Sequence, residues 1–324
     1  MRISYSTIPG NLNTSIGYGW AGYNIVRSLQ KLGHEVPFQD PSCAVQIHFS
    51  QPEFYEFNEN QYKIGYTPWE STDLPESWLP RMNECDEIWA TSPLIAEWYA
   101  DAGVKPPISV YQHGIDASWT PQKRRRGNKI RFLHVGEPAP RKGAQMAADA
   151  FLAAFGNRDD VHLTIKAHDY STVRANNPFG PIDIHPNISL IKRELTAAEM
   201  VSLYLNHDVF VYPSFGEGFG FLPHQAMGTG MVTMCVDAWA PYKDFILPEC
   251  RIASTLGESP WPTMHPGKVF WPDKDNLIDM YRTVFDNFDD LNTRSFALSH
   301  DLHEKYNWET LTSSAFKKVV EKFS

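Results

Sequence analysis

Three clusters in the sequence have residue types and spacings suited to chemistry on a charged or hydroxylated ligand. The first is Gly216-Glu217-Gly218-Phe219-Gly220, where glycines alternate around one carboxylate. Alternating glycines let backbone N–H groups converge on an anion or a sugar, and Glu217 in their midst is suited to accept sugar hydroxyls. The second is Gly136-Glu-Pro-Ala-Pro-Arg141-Lys142-Gly143. Adjacent cations at the start of a helix are disfavoured by its macrodipole unless an anion lies between them. A diphosphate, which needs charge neutralisation and several hydrogen bonds at once, suits this pair. The third is Gly17-Tyr-Gly19-Trp-Ala-Gly22, which satisfies G-x-G-x-x-G, with Asp40 further on. Its first glycine stands about ten residues beyond Ser6, too far from the strand for a regular dinucleotide turn. A glycine loop lining another ligand is therefore favoured, with an NAD-type site and a plain turn as the alternatives.

Such clusters act only if strand ends carry them. Apolar spacing predicts strands at 2–6, 35–38, 44–49, 63–67, 87–91 and 109–112, with helices over 21–32 and around 93–101. Alternation restarts with strands at 130–135, 161–167, 209–212 and 232–236 and helices over 142–155 and 196–206. A final helix is expected over 301–323. Two rounds of βα alternation predict an α/β protein of two Rossmann-like parallel-sheet domains facing across a cleft. The domains run 1–120 on the acceptor side and 130–300 on the donor side, joined by a basic linker at 121–129. The segment 301–324 is expected to cross back to the first domain. The Arg141–Lys142 loop and the Glu217 loop then fall at carboxyl strand ends, where open α/β sheets bind ligands.

Composition narrows the class. The chain has 324 residues, 42% hydrophobic and 21% charged, which excludes disorder, collagen-like repeats and a coiled coil. A net charge of −9 disfavours a generally basic protein that coats nucleic acid, though not a local basic patch. Cys43, Cys85, Cys235 and Cys250 are scattered without a CxxC, as expected for reduced thiols. No signal-peptide pattern opens the chain, and no stretch reaches the roughly 20 apolar residues of a membrane span. A cytoplasmic location is the expectation. HExxH, GxSxG and GxxxxGK[ST] are all missing. His300 and His303 are read as a solvated helix face, and the Asp289–Asp290 pair as surface rather than metal site.

The segment "YPSFGEGFGFLPHQAMGTG" resembles the signature of the retaining nucleotide-sugar glycosyltransferases of family four, which have the GT-B fold and include phage-type members. The resemblance extends through "GYGWAGYNIVRSLQKLGHEV", "YTPWES", "WLPRMNECDEIWATS", "VYQHGID" and "HVGEPAPRKG". It implies that Arg141 and Lys142 hold the donor diphosphate and that Glu217, the first Glu of the family's Glu-x7-Glu, contacts the donor sugar. Gly17, Gly19, Gly136, Gly218, Phe219, Gly220, Phe221 and Leu222 would complete the donor site. Position 225 should hold the second Glu, which accepts ribose hydroxyls. Here it is Gln225, a neutral group that puts nucleotide affinity in question. Some relatives carry a sugar-contacting His where Tyr66-Thr-Pro-Trp69-Glu70 stands, so Trp69 and Glu70 become acceptor-side candidates, with His113 near the interdomain turn. Asp244 matches a family acidic position.

The implied function is metal-independent transfer of a sugar from a UDP- or GDP-linked donor, with retention. A hydroxyl on a soluble glycan, small molecule or protein is one class of acceptor. A hydroxylated base in DNA is another, with Lys123, Arg124, Arg125, Arg126 and Lys129 on phosphates and Trp69, Trp78 and Trp119 for stacking. Two readings of other kinds stay open. One is a non-catalytic nucleotide-sugar-binding protein, suggested by Gln225. The other is an NAD-dependent oxidoreductase, resting on Gly17–Gly22.

Overall fold

A computed structural model describes residues 1–137, 139–167 and 185–323. The first half of the chain runs β1 (Ile3–Ser6), α1 (Gly17–Lys31), β2 (Val45–Phe49), β3 (Tyr62–Thr67), α2 (Trp78–Met82), β4 (Glu87–Ala90), α3 (Pro93–Asp101) and β5 (Ile108–Val110). The five strands form one parallel sheet in the order β1-β2-β3-β4-β5. Strands β1, β2 and β4 are buried along their whole length, as expected of a sheet covered on both faces. Helix α3 starts where Ser92 accepts from the Ile95 N–H and Pro93 takes the first turn, so its start is written in the residues.

Residues 35–38 do not form the expected strand. They touch β1 only through isolated bridges at Arg2↔Glu35 and Tyr5↔Phe38. Pro37 lies between them and has no N–H to continue a ladder. Helix α1 begins four residues before the expected start, so the glycines of 17–22 lie inside its first turns rather than ahead of it.

The second half runs β6 (Ile130–Val135), α4 (Ala144–Phe155), β7 (Val161–Lys166), β8 (Ile188–Ile191), α5 (Ala197–Leu205), β9 (Val209–Tyr212), α6 (Phe221–Gly228), β10 (Val232–Val236) and β11 (Arg251–Ile252). These strands form a six-stranded parallel sheet in the order β11-β10-β9-β6-β7-β8. An antiparallel hairpin of β12 (Ser254–Glu258) and β13 (Lys268–Pro272) follows, with register from Ser254↔Pro272 to Glu258↔Lys268. Then come α7 (Lys274–Asp286), α8 (Phe288–Lys305) and α9 (Trp308–Phe323).

The final helix is thus shorter than expected. Asn307 interrupts the run, its side chain accepting from the Thr310 N–H to start α9 afresh. Helix α9 leaves the second half and packs on α1. Trp308, Phe316 and Val319 join Trp89, Tyr111, Ile25 and Leu29 in one apolar core, and the Tyr111 hydroxyl meets Thr312 Oγ1 at 2.6 Å.

The basic stretch is not uniformly solvated. Arg124 is buried, and its guanidinium spends all five N–H groups on the protein. Nε donates to the His207 carbonyl at 2.9 Å, Nη1 to those of Gln122 at 2.9 Å and Thr229 at 2.5 Å, and Nη2 to the Tyr204 carbonyl at 3.2 Å and Thr229 Oγ1 at 2.9 Å. Arg126 stacks over Phe285, 5.1 Å from the ring centroid. Arg124 therefore cannot serve a phosphate. The tryptophans expected to stack on bases are likewise buried: Trp69 and Trp78 pack on each other at 4.3 Å, and Trp119 packs on Tyr204. His303, expected on a solvated face, bonds through Nε2 to the Trp119 and Gly228 carbonyls at 2.9 and 3.1 Å.

Candidate active site

In the second sheet β6 and β9 are neighbours, and the chain continues from β6 toward β7 on one side and from β9 toward β10 on the other. This reversal of strand order opens a crevice at the carboxyl strand ends. The loop after β6 carries Arg141 and Lys142, and the loop after β9 carries Glu217. Pro138 of the first loop lies outside the described residues.

The two loops meet over Glu217. Lys142 Nζ is 2.8 Å from both carboxylate oxygens, and Arg141 Nη1 is 3.3 Å from Oε1. The same oxygen accepts from Ser214 Oγ at 2.7 Å and the Tyr212 hydroxyl at 2.9 Å. Oε1 is therefore crowded, whereas Oε2 accepts from Lys142 alone among the described residues. Arg141 also donates to the Gly216 carbonyl through Nη1, and through Nη2 reaches Glu70 Oε1 at 3.4 Å. Tyr212 and Ser214 lie five and three residues before Glu217, yet motif reading singled out neither. Their signal was a pair of hydroxyls just upstream of a glycine-flanked carboxylate.

Burial alone would favour the neutral form of Glu217, but Lys142 and Arg141 outweigh it and hold the carboxyl below its usual range. Burial likewise opposes the Arg141 charge, and Glu70 and Glu217 outweigh it, holding the guanidinium above its usual value. Glu70 goes the other way: burial dominates and raises its carboxyl despite Arg141 and Lys142. The cluster thus holds two cations and two carboxylates with unequal holds on their protons.

Two of the three alternating glycines owe their identity to the other half of the molecule. A Cβ on Gly216 would run into the Glu70 carbonyl oxygen, and one on Gly218 into the Pro68 ring. Thr91 Oγ1 donates to the Gly218 carbonyl. At 216 and 218 the missing Cβ has a packing use: it lets the 67–71 loop of the first half seat on the Glu217 loop. Gly218→Ala should therefore destabilise the protein by about 1–3 kcal/mol and speed hydrogen exchange across residues 67–71. Exchange unchanged there would contradict the packing role. Gly220, with φ of 81°, starts α6 in a conformation that favours glycine.

Other expected site residues take structural places. The Gly136 N–H bonds the Lys166 carbonyl at 3.0 Å, so it extends the β6–β7 ladder by one bond rather than facing an anion. Phe219 is buried among His113, Phe221, His224 and Tyr242. Phe221 stacks on His113 at 4.8 Å, and burial lowers His113 to about 3, so this imidazole is a neutral wedge between the halves. Leu222 and Gln225 lie on α6, and the Leu222 carbonyl accepts from Tyr204 at 3.4 Å. Gly17 opens α1, and Gly19 sits under the Asn13 carbonyl. The Trp69 indole N–H donates to the Asp73 carbonyl at 2.9 Å, which fixes the ring in the core and removes it as an acceptor platform. Asp244 is exposed beside Lys305, outside the cluster.

Residues 129–246 match the family described as Glycosyl transferases group 1. The structure is similar over 99% of the chain to all of Anabaena Alr3699/HepE, solved with UDP and glucose, at 11% identity and a TM-score of 0.72. Similarity to 99% of the sucrose-phosphate synthase of Thermosynechococcus elongatus also covers 99% of this chain, with 12% identity and a TM-score of 0.73. A glycosyltransferase from Rickettsia africae gives 13% identity and a TM-score of 0.68, covering 100% of this chain and 99% of its own. The fold is GT-B. No curated protein matches the sequence. Within the GT-B cleft, Arg141, Lys142 and Glu217 stand on the second sheet and Glu70 faces them from the first. One further residue reaches this point without any sequence signal: His265, whose Nδ1 lies 4.0 Å from Glu70 Oε2.

Proposed function

We propose that the protein is a retaining, metal-independent glycosyltransferase that moves a sugar from a nucleoside diphosphate to an acceptor hydroxyl. The convergence of Arg141, Lys142 and Glu217 at the strand-order reversal carries this reading. Arg141 and Lys142 supply two fixed positive charges where a leaving diphosphate gathers negative charge, the task a divalent cation performs elsewhere. The lone pair of Glu217 Oε2 that Lys142 leaves open suits a donor-sugar hydroxyl.

In the step itself the bond from the anomeric carbon to the phosphate oxygen breaks, and its electrons leave with the phosphate. The acceptor oxygen bonds the same carbon on the same face and passes its proton to that phosphate oxygen, so configuration is kept. The 67–71 loop seated on the Glu217 loop excludes water that would otherwise hydrolyse the donor. The relatives solved with UDP and UDP-glucose favour uridine diphosphate as the first donor to try. Burial of Arg124 and of all three tryptophans favours a soluble glycan, small molecule or protein acceptor over DNA.

Thermal-shift screening with UDP, GDP, ADP, CMP, their sugars and NAD tests this. A ligand at 100 times its dissociation constant adds about 2.7 kcal/mol of stability. One nucleoside diphosphate and its sugars should raise the midpoint by a few degrees. A response to NAD alone would overturn the reading.

A further inference from the structure

The hairpin of β12 and β13 belongs to the second half, yet it is stitched to the first. The Thr72 N–H donates to the Lys268 carbonyl at 3.0 Å, and the Lys268 N–H to Thr72 Oγ1 at 2.8 Å. On the other side the Phe270 N–H donates to the Phe215 carbonyl at 2.8 Å, tying the hairpin to the Glu217 loop. Its connecting segment carries His265, whose N–H is held by the Trp261 carbonyl at 2.8 Å and whose ring lies 5.6 Å from Trp69. The imidazole is thus positioned by both halves of the molecule.

Its Nδ1 is buried and has no hydrogen-bond partner among the described residues, although Glu70 Oε2 is 4.0 Å away. That separation is too long for a direct bond. It suits one oxygen held by both atoms at about 2.8 Å each, with roughly a right angle between the two bonds. A buried polar atom left without a partner is costly, so such a gap calls for an occupant. The imidazole is neutral at pH 7, lowered to about 4 by burial and by Arg141 and Lys142. It can offer Nδ1–H to an oxygen, while Glu70 can accept a proton in a hydrogen bond. A hydroxyl satisfies both at once. A phosphate would meet the Glu70 carboxylate, and an ammonium would come beside Arg141 and Lys142.

We propose that Glu70 and His265 together seat one hydroxyl of the acceptor, so that the hairpin serves as a specificity element on the acceptor side. The assignment to the acceptor rests on the glycosyltransferase reading and follows from position. Glu70 bridges Arg141 on one oxygen and faces His265 with the other, so the hydroxyl lies beside the group that holds the leaving phosphate. Met264, the residue before His265, is 68% exposed, so the segment that carries His265 runs along the surface.

D-glucose serves as the probe, followed by saturation-transfer NMR on the wild-type protein, His265→Ala and His265→Asn, each alone and with saturating UDP-glucose. The asparagine amide can replace the Nδ1–H donor. Glucose should bind the wild type, lose at least about tenfold in affinity in His265→Ala, recover in His265→Asn, and stay bound when UDP-glucose is present. Stabilisation by UDP-glucose should be equal in all three proteins. Absence of glucose binding to the wild type, undiminished binding to His265→Ala, or displacement by UDP-glucose would each overturn the proposal. The last would place the hydroxyl on the donor sugar instead. If UDP-glucose stabilises none of the three, the donor assignment fails on its own, and the wild-type to alanine comparison still decides whether the pair holds a hydroxyl.

Discussion

The double variant Arg141→Ala, Lys142→Ala should lose sugar transfer by at least about 1,000-fold, since removing even one preorganised charge-stabilising donor costs about 100- to 1,000-fold. The same change should weaken the fold by about 3–5 kcal/mol, because Glu217 is left buried without a counter-charge. Glu217→Gln separates the two effects. It keeps the shape and its hydroxyl partners and should lose activity at a smaller cost in stability. The pH dependence follows from the lowered Glu217 carboxyl. A group held below its unfolded value contributes stability that is full above that value and is lost as pH falls through the folded one. The wild type should therefore lose this contribution only in acid, below the usual 4.5 of a glutamate. In the double variant burial dominates, Glu217 moves up, and the loss reverses into a gain on acidification. Urea midpoints between pH 3 and 7 read out both signs. Full transfer activity in the double variant would remove the basis for the proposed function.

Arg124→Ala is expected to be among the most destabilising single changes in the chain, at about 3–5 kcal/mol. It would strip partners from the carbonyls of Gln122, Tyr204, His207 and Thr229 and leave a cavity where a guanidinium was fully bonded. Arg125→Ala, one residue along at an exposed position, should change stability by less than about 0.5 kcal/mol. Equal urea midpoints for the two variants would show that Arg124 does not brace the chain. Burial lowers Arg124 to about 10, so its charge is held through the neutral range and the brace is insensitive to pH there.

The contrast at Arg124 and Arg125 shows why a charge run is a poor guide to partners. In sequence these residues are equivalent, and only the three-dimensional course of 121–129 makes one a buried strut. Most strands of the two sheets were legible because parallel sheets demand continuous apolar runs: β9 and β10 fall where expected, whereas β8, with a polar Ser189 in its four residues, was not placed. The Arg141–Lys142 and Glu217 clusters were legible because cations at a helix start and a glycine-flanked carboxylate have few structural uses. The hairpin of β12 and β13 was not, since its residues mix Pro, Gly, Trp and polar groups without a period. His265 was invisible for the same reason, its chemistry arising only from an approach to Glu70 across nearly 200 positions. The glycines were legible as glycines but their packing was not, because sequence cannot say whether a missing Cβ admits a ligand or another stretch of backbone.

The crossing of α9 has a consequence for the order of synthesis. Trp89 and Tyr111 receive their cover from Phe316, Trp308 and Thr312, which the ribosome makes only after the entire second sheet. Through that interval the nascent first half carries an uncovered aromatic face. The first sheet can therefore complete its apolar core only after the last helix has been made.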